Sequence, residues 1–99
     1  MTQLISIIIP AYNAERFIGR TLRSALKQTF GDIEVIVIND GSTDNTRLIV
    51  EEMALKDNRV RVLNTVNRGV AMARNLGIEK AQGSWRVVKA VKVVIFPLS

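Results

Sequence analysis

The chain carries its apolar residues in two kinds of run. The first is short and nearly unbroken: Leu4 to Ile9 reads L-I-S-I-I-I, and Val35 to Ile38 reads V-I-V-I. Runs this short and this rich in β-branched residues suit strands buried on both faces of a parallel sheet. The second kind recurs at helical spacing. Between Glu15 and Gln28 the residues Phe17, Ile18, Leu22, Ala25 and Leu26 share one face, and Arg16, Arg20, Arg23 and Lys27 occupy the other. This predicts an amphipathic helix that Asn13 is placed to cap. Thr43 or Asp44 can cap a second helix running to about Lys56, with Leu48, Ile49, Met53 and Ala54 on its inner face. Val60 to Leu63, V-R-V-L, alternates and predicts a short edge strand. A polar turn at Asn67 to Gly69 then precedes a predicted helix from Val70 to Ala81, with Gly83 as its terminator. Trp85 to Phe96, W-R-V-V-K-A-V-K-V-V-I-F, is β-rich and predicts a fourth strand.

Strands alternating with helices predict an α/β fold. The expected form is a three-layer α/β/α half domain, with a mainly parallel sheet of about four strands in the order 3-2-1-4 and three helices. Ligands of such sheets bind outside the carboxyl ends of the strands, where helix N-termini direct their N–H groups at anions. Both buried runs end in polar turns: Pro10 to Ala14, P-A-Y-N-A, after the first, and Asn39 to Asp44, N-D-G-S-T-D, after the second. Asp40 is thereby a carboxylate presented where a strand stops and a helix begins.

Composition narrows the function classes. Ninety-nine residues make one small domain with one core, and 47% hydrophobic residues exclude a disordered chain. A net charge of +5 permits an anionic ligand such as a nucleotide but selects none. Near the end only Arg86, Lys89 and Lys92 form a cluster, which reads as solvated strand-face charge or edge protection. The chain has no cysteine and no histidine. That removes disulfides, thiolate or histidine zinc sites, and Ser-His-Asp or Cys-His nucleophiles. No apolar run is long enough to span a bilayer, so a cytoplasmic chain is expected, peripheral to a membrane at most.

Three stretches are recognisable together. S-I-I-I-P-A-Y-N-A-E from Ser6, E-V-I-V-I-N-D-G-S-T-D-N-T from Glu34, and N-R-G-V-A-M-A-R-N-L-G-I-E-K-A-Q-G from Asn67 resemble, in order and spacing, the start of family-2 glycosyltransferases. The resemblance implies a nucleotide-diphospho-sugar transferase domain of the GT-A, Rossmann-like fold. Residues 1–83 would be its nucleotide-binding part and residues 84–99 a divergent C-terminal strand. It further implies that Asp40 accepts a hydrogen bond from the uracil ring N–H, and that Pro10, Ala11 and Tyr12 line the base. Glu15 would reach polar groups of ribose or base. Asn67, Gly69 and Arg74 match an N-x-G-x-x-x-A-R-N signature in which Arg74 contacts the nucleotide or its phosphates. The residues themselves leave plainer roles open: a turn cap for Asp40, half-buried packing for Tyr12, a first-turn helix acid for Glu15, a surface ion pair for Arg74. Asn75 reads as a holder of local loop geometry.

The sequence also departs from that family. Asn39 stands where a first aspartate is often found. Ala90, Val91 and Lys92 fall where a D-x-D motif would hold Mg²⁺ or Mn²⁺ on the diphosphate of an NDP-sugar donor, and no carboxylate follows Glu79. The acceptor half and its catalytic base are absent from the pattern as well. The expectation is a UDP- or NDP-sugar-binding portion of a polysaccharide-building transferase, with no turnover and no metal of its own. A reading-frame change after Gly83 would account for the divergent end. The alternative is a non-catalytic assembly module, a homodimer paired through the C-terminal strand. A receiver-like domain is disfavoured because P-A-Y-N supplies no acidic cluster, and nucleic-acid binding, resting on net charge alone, is not expected.

Overall fold

The computed structural model describes residues 4–27 and 32–89. Its elements are β1 (Leu4–Ala11), α1 (Ile18–Leu26), β2 (Asp32–Asp40), α2 (Thr46–Lys56), β3 (Val60–Thr65), α3 (Val70–Lys80) and β4 (Trp85–Val88). All pairings are parallel, in the order β3-β2-β1-β4. The expected 3-2-1-4 arrangement is therefore the observed one, with β3 at an edge. Residues 90–96 of the expected fourth strand, and Ala90, Val91 and Lys92 with them, lie outside the described residues.

Alternation along the two central strands sorts their side chains into two cores. Ile7, Ile9, Val35 and Val37 face α1 and α2, meeting Ile18, Leu22, Ala25 and Val50. Ile8, Ile36 and Ile38 face α3 and meet Ala73. Because both faces are covered, neither strand needs a polar alternation, which explains the unbroken runs. On the second face α3 lies directly on the sheet at Gly77, where an added Cβ would overlap the Ile8 side chain and stand 2.6 Å from Ile38 Cδ1.

One polar cluster interrupts the α3-side core. Glu34 is 8% exposed. It accepts hydrogen bonds from the Ser6 hydroxyl at 2.5 Å, the Gln82 N–H at 2.7 Å and Arg61 at 3.1 Å. Burial pushes its carboxyl up, but those donors together outweigh burial and hold it below the usual glutamate range. The Ser6 Oγ also accepts from the Gly83 N–H at 2.8 Å. Gly83 passes so near β1 that a Cβ would stand 2.6 Å from the Leu4 carbonyl oxygen.

Several boundaries differ from expectation. β1 continues through Pro10 and Ala11, which the sequence assigned to a loop. Even-numbered backbone groups of β1 point toward β4, since Leu4 and Ile8 carbonyls accept from Ser84 and Lys89. That ladder's last pair is Ile8 with Val88. Pro10 follows it on the same side, and its missing N–H ends the ladder, since Lys89 donates to the Ile8 carbonyl but Pro10 has no N–H to return to the Lys89 carbonyl. α1 begins at Ile18 with Phe17 at the N-cap and no side-chain cap, so Asn13 does not cap it. In α2 the buried residues are Thr46 and Val50, while Leu48 is 66% exposed. Gly83 does not end α3: Ala81 does, in an extended conformation, and Gly83 serves the close approach to β1 instead.

Candidate functional site

Parallel pairing sets Ala11 opposite Asn39, so β1 and β2 deliver their following loops to one end of the sheet. Asn13 lies just beyond, at φ 48, a left-handed conformation that asparagine tolerates better than most residues. From there its N–H donates to Ser42 Oγ at 2.9 Å, and its Oδ1 accepts from the Thr43 N–H at 2.8 Å. The Ala14 N–H donates to Thr46 Oγ1 at 2.8 Å and the Glu15 N–H to Asp44 Oδ2 at 3.2 Å. Glu15 Oε1 accepts in return from the Asn45 N–H at 3.0 Å. Asp44 also accepts from the N–H and hydroxyl of Thr46, at 2.9 and 2.6 Å. Partial burial raises the Asp44 carboxyl, and these donors reverse the effect and hold it below the ordinary aspartate range. The first two loops are thus sewn together, and the Asp44 and Glu15 carboxylates accept from N–H groups at the start of α2.

A second seam joins β2 to the turn before α3. Asp40 is 3% exposed. Its Oδ1 accepts from the Thr65 hydroxyl at 2.9 Å and the Arg68 N–H at 3.0 Å, and its Oδ2 from the Gly69 N–H at 2.8 Å. A carboxylate has roughly four acceptor directions, so one is left for a ligand. Beside it Gly41, at φ 76, runs so close to the third loop that a Cβ would stand 2.6 Å from the Asn67 nitrogen. Only glycine fits there. Asn39 donates through Nδ2 to Asn64 Oδ1 at 2.9 Å, a bond that an ionised aspartate at this position could not give.

The predicted site residues divide by location. Asp40, Asn67 and Gly69 meet at the second seam. Pro10 and Ala11 are buried strand residues, and Tyr12 follows them as a rim residue 46% exposed. Glu15 belongs to the first seam and lies outside α1, so it is no first-turn acid of that helix. Arg74 is exposed on α3, and its side chain forms no hydrogen bond or ion pair among the described residues. Arg68 was not singled out from the sequence, although it fills the variable place of N-x-G. It lines, with Asp40, Thr65, Met72, Asn75 and Glu79, a hollow of about 250 Å³ between the seam and α3. A larger hollow of about 430 Å³, by Ile5, Ala25, Ile33 and Val87, is apolar and away from the seams. Asn13, Ser42 and Thr46 were missed as well; their only signal was their turn-forming type.

The described residues do not fit a divalent cation. No group of three or more acids, histidines or cysteines that could hold one occurs among them. Asp44 accepts from three donors and Asp40 keeps a single free acceptor direction, so a cation needing several oxygen ligands would have to displace donors of the fold.

Comparison with known proteins fits this geometry. Residues 6–88 match the family model described as glycosyl transferase family 2. An uncharacterized glycosyltransferase of Bacillus subtilis, EpsJ, is 46% identical over 85 residues, covering 86% of this chain and 25% of its own length. Among solved structures, Staphylococcus aureus TarS 1-349 in complex with UDP-GlcNAc superposes with a TM-score of 0.78 at 35% identity, over 88% of this chain and 26% of that one. The mannosyltransferase PcManGT of Pyrobaculum calidifontis, in complex with GDP-Man and Mn²⁺, gives 0.83 at 25% identity, over 92% of this chain and 28% of that one. The chain thus spans about a quarter of the length of these relatives.

Proposed function

The chain belongs to glycosyl transferase family 2, and on that premise we propose that it is the nucleotide-binding part of a glycan-building transferase, taking UDP or a UDP-sugar. The observation that carries this is the double seam, whose hydrogen bonds join the P-A-Y-N loop, the Asp40 loop and the N-x-G turn at one end of the sheet. Base recognition falls to Tyr12, whose exposed ring offers a stacking face, and to the unused acceptor direction of Asp40, which suits a ring N–H. Pro10 and Ala11 act from beneath, as the buried strand end that holds Tyr12 at the rim. The side chains of Arg68 and Arg74, exposed and without acidic partners among the described residues, are available to a diphosphate. Asn67 and Gly69 shape the turn that presents Arg68. Residues 1–83 carry this binding part, and Trp85–Val88 add the fourth strand of its sheet.

Transfer itself requires a base for the acceptor hydroxyl. Asp40, Asp44, Glu15 and Glu34 are each engaged by donors of the fold, which favours binding without turnover by this chain alone. Among the described residues no helix is long and apolar enough to cross a membrane.

Isothermal titration with UDP tests the proposal. Saturable binding is expected, weakened roughly tenfold in Tyr12→Ala, the order of one base-stacking contact, and weakened again in Arg74→Ala. Both side chains are exposed, so folding is spared. No saturable heat up to millimolar UDP, or unchanged affinity in both variants, overturns it. A second reading, pairing of two copies along β4, draws on the exposure of Trp85, Val87 and Val88, at 60, 50 and 41%. Sedimentation as a monomer at micromolar concentration rejects that pairing.

A further inference from the structure

The cations of this fold are distributed unevenly between paired and unpaired sets. Along the α2 and β3 region each has an acid: Arg47 with Glu51, Lys56 with Glu52, Arg59 with Asp57, Arg61 with Glu34. On α1 and its flanks the opposite holds. Arg16, Arg20, Arg23 and Lys27 are exposed, none of their side chains forms an ion pair or hydrogen bond among the described residues, and no acid lies between Arg16 and Lys27. Their spacing of four, three and four residues puts Arg20 and Arg23 on one face of α1, with Arg16 just before the helix and Lys27 at its C-cap. That face lies opposite Ile18, Leu22 and Ala25, which α1 buries against the sheet. Phe17, 42% exposed, stands beside Arg16.

We propose that this outer face of α1 is a docking surface for an anionic lipid bilayer. A one-signed series of cations on the outside of a layered domain meets a flat anionic surface with several charges at once, which a compact anion cannot match. The exposed aromatic at its end supplies what phosphate alone does not use: a ring suited to the boundary between headgroups and acyl chains. Pairing elsewhere removes rival cationic patches from α2 and β3. Docking in this way lays the helical layer on the membrane and sets the loop that follows β1, joined to α1 through Arg16, beside the headgroups. The inference does not depend on the nucleotide: it would hold for a chain that binds no UDP.

Cosedimentation of the full chain with phosphatidylcholine vesicles, with and without phosphatidylserine, tests it. Binding should require phosphatidylserine and be released by salt. Arg20→Glu with Arg23→Glu should lower vesicle affinity at least about 25-fold, taking roughly fivefold per charge. Lys80→Glu with Arg86→Glu, an equal change of charge on the α3 side, should leave most of the binding intact. Phe17→Ser should weaken binding while preserving its salt dependence. Should the arginine-to-glutamate pair fail to give the native circular dichroism, Arg20→Gln with Arg23→Gln serves the same comparison. Equal partition onto neutral vesicles, equal loss in the two double variants, or equally tight binding of duplex DNA at matched phosphate concentration would each overturn the proposal.

Discussion

Asp40 holds the end of β2 to a turn that lies 25 to 29 residues further along the chain. Replacing it by alanine leaves two N–H groups and a hydroxyl without their acceptor, so Asp40→Ala should lose about 2–3 kcal/mol in denaturant unfolding. Asp40→Asn keeps one acceptor oxygen and should lose less. The sequence placed this carboxylate correctly at a strand end, because a buried run followed by N-D-G-S leaves little else. Its partners were not legible, since hydrogen bonds between loops follow no short-range period. The same limit hid Asn13, whose oxygen turns away from the helix beside it to the Thr43 N–H. Tyr12 and Arg74 are exposed, and no hydrogen bond or ion pair of the fold competes for their side chains with the roles proposed for them.

Among the elements, α3 depends on the absence of a side chain. Alanine at position 77 would favour the helix locally by about 1 kcal/mol, yet its methyl would enter the space of Ile8 and Ile38. Gly77→Ala should therefore destabilise by about 1–3 kcal/mol, lowering the melting temperature by roughly 4–8 °C for each kcal/mol. Leu48→Ser, on the exposed face of α2, should by contrast stay within about 0.5 kcal/mol of wild type. Strands were the most legible elements because burial on both faces writes an unmistakable run. Helix inner faces were less so: α2 offers apolar residues around much of its circumference, and only contact with the sheet selects Val50 over Leu48.

For the whole molecule, the acid limb of stability should trace the carboxylates held below their usual range. Glu34 binds its proton more readily unfolded than folded, so its contribution is complete above the ordinary value of 4.5 and is lost as pH falls through the lowered folded value. Asp57, lowered to about 2 by the Arg59 side chain and N–H, adds a further loss at still lower pH. Glu34→Gln should cost about 1–3 kcal/mol at neutral pH, and its gap from wild type should narrow below pH 4.5. Urea unfolding across pH reads both effects.

The hydrogen bond from Gly83 to Ser6 closes a loop of 77 residues, and β1 gains its second neighbour only when β4 has been made. At translation rates of 5–20 residues per second, roughly 4–15 s separate synthesis of β1 from that of β4. Throughout that interval a strand rich in isoleucine keeps an open edge, a template on which another unfinished chain could pair.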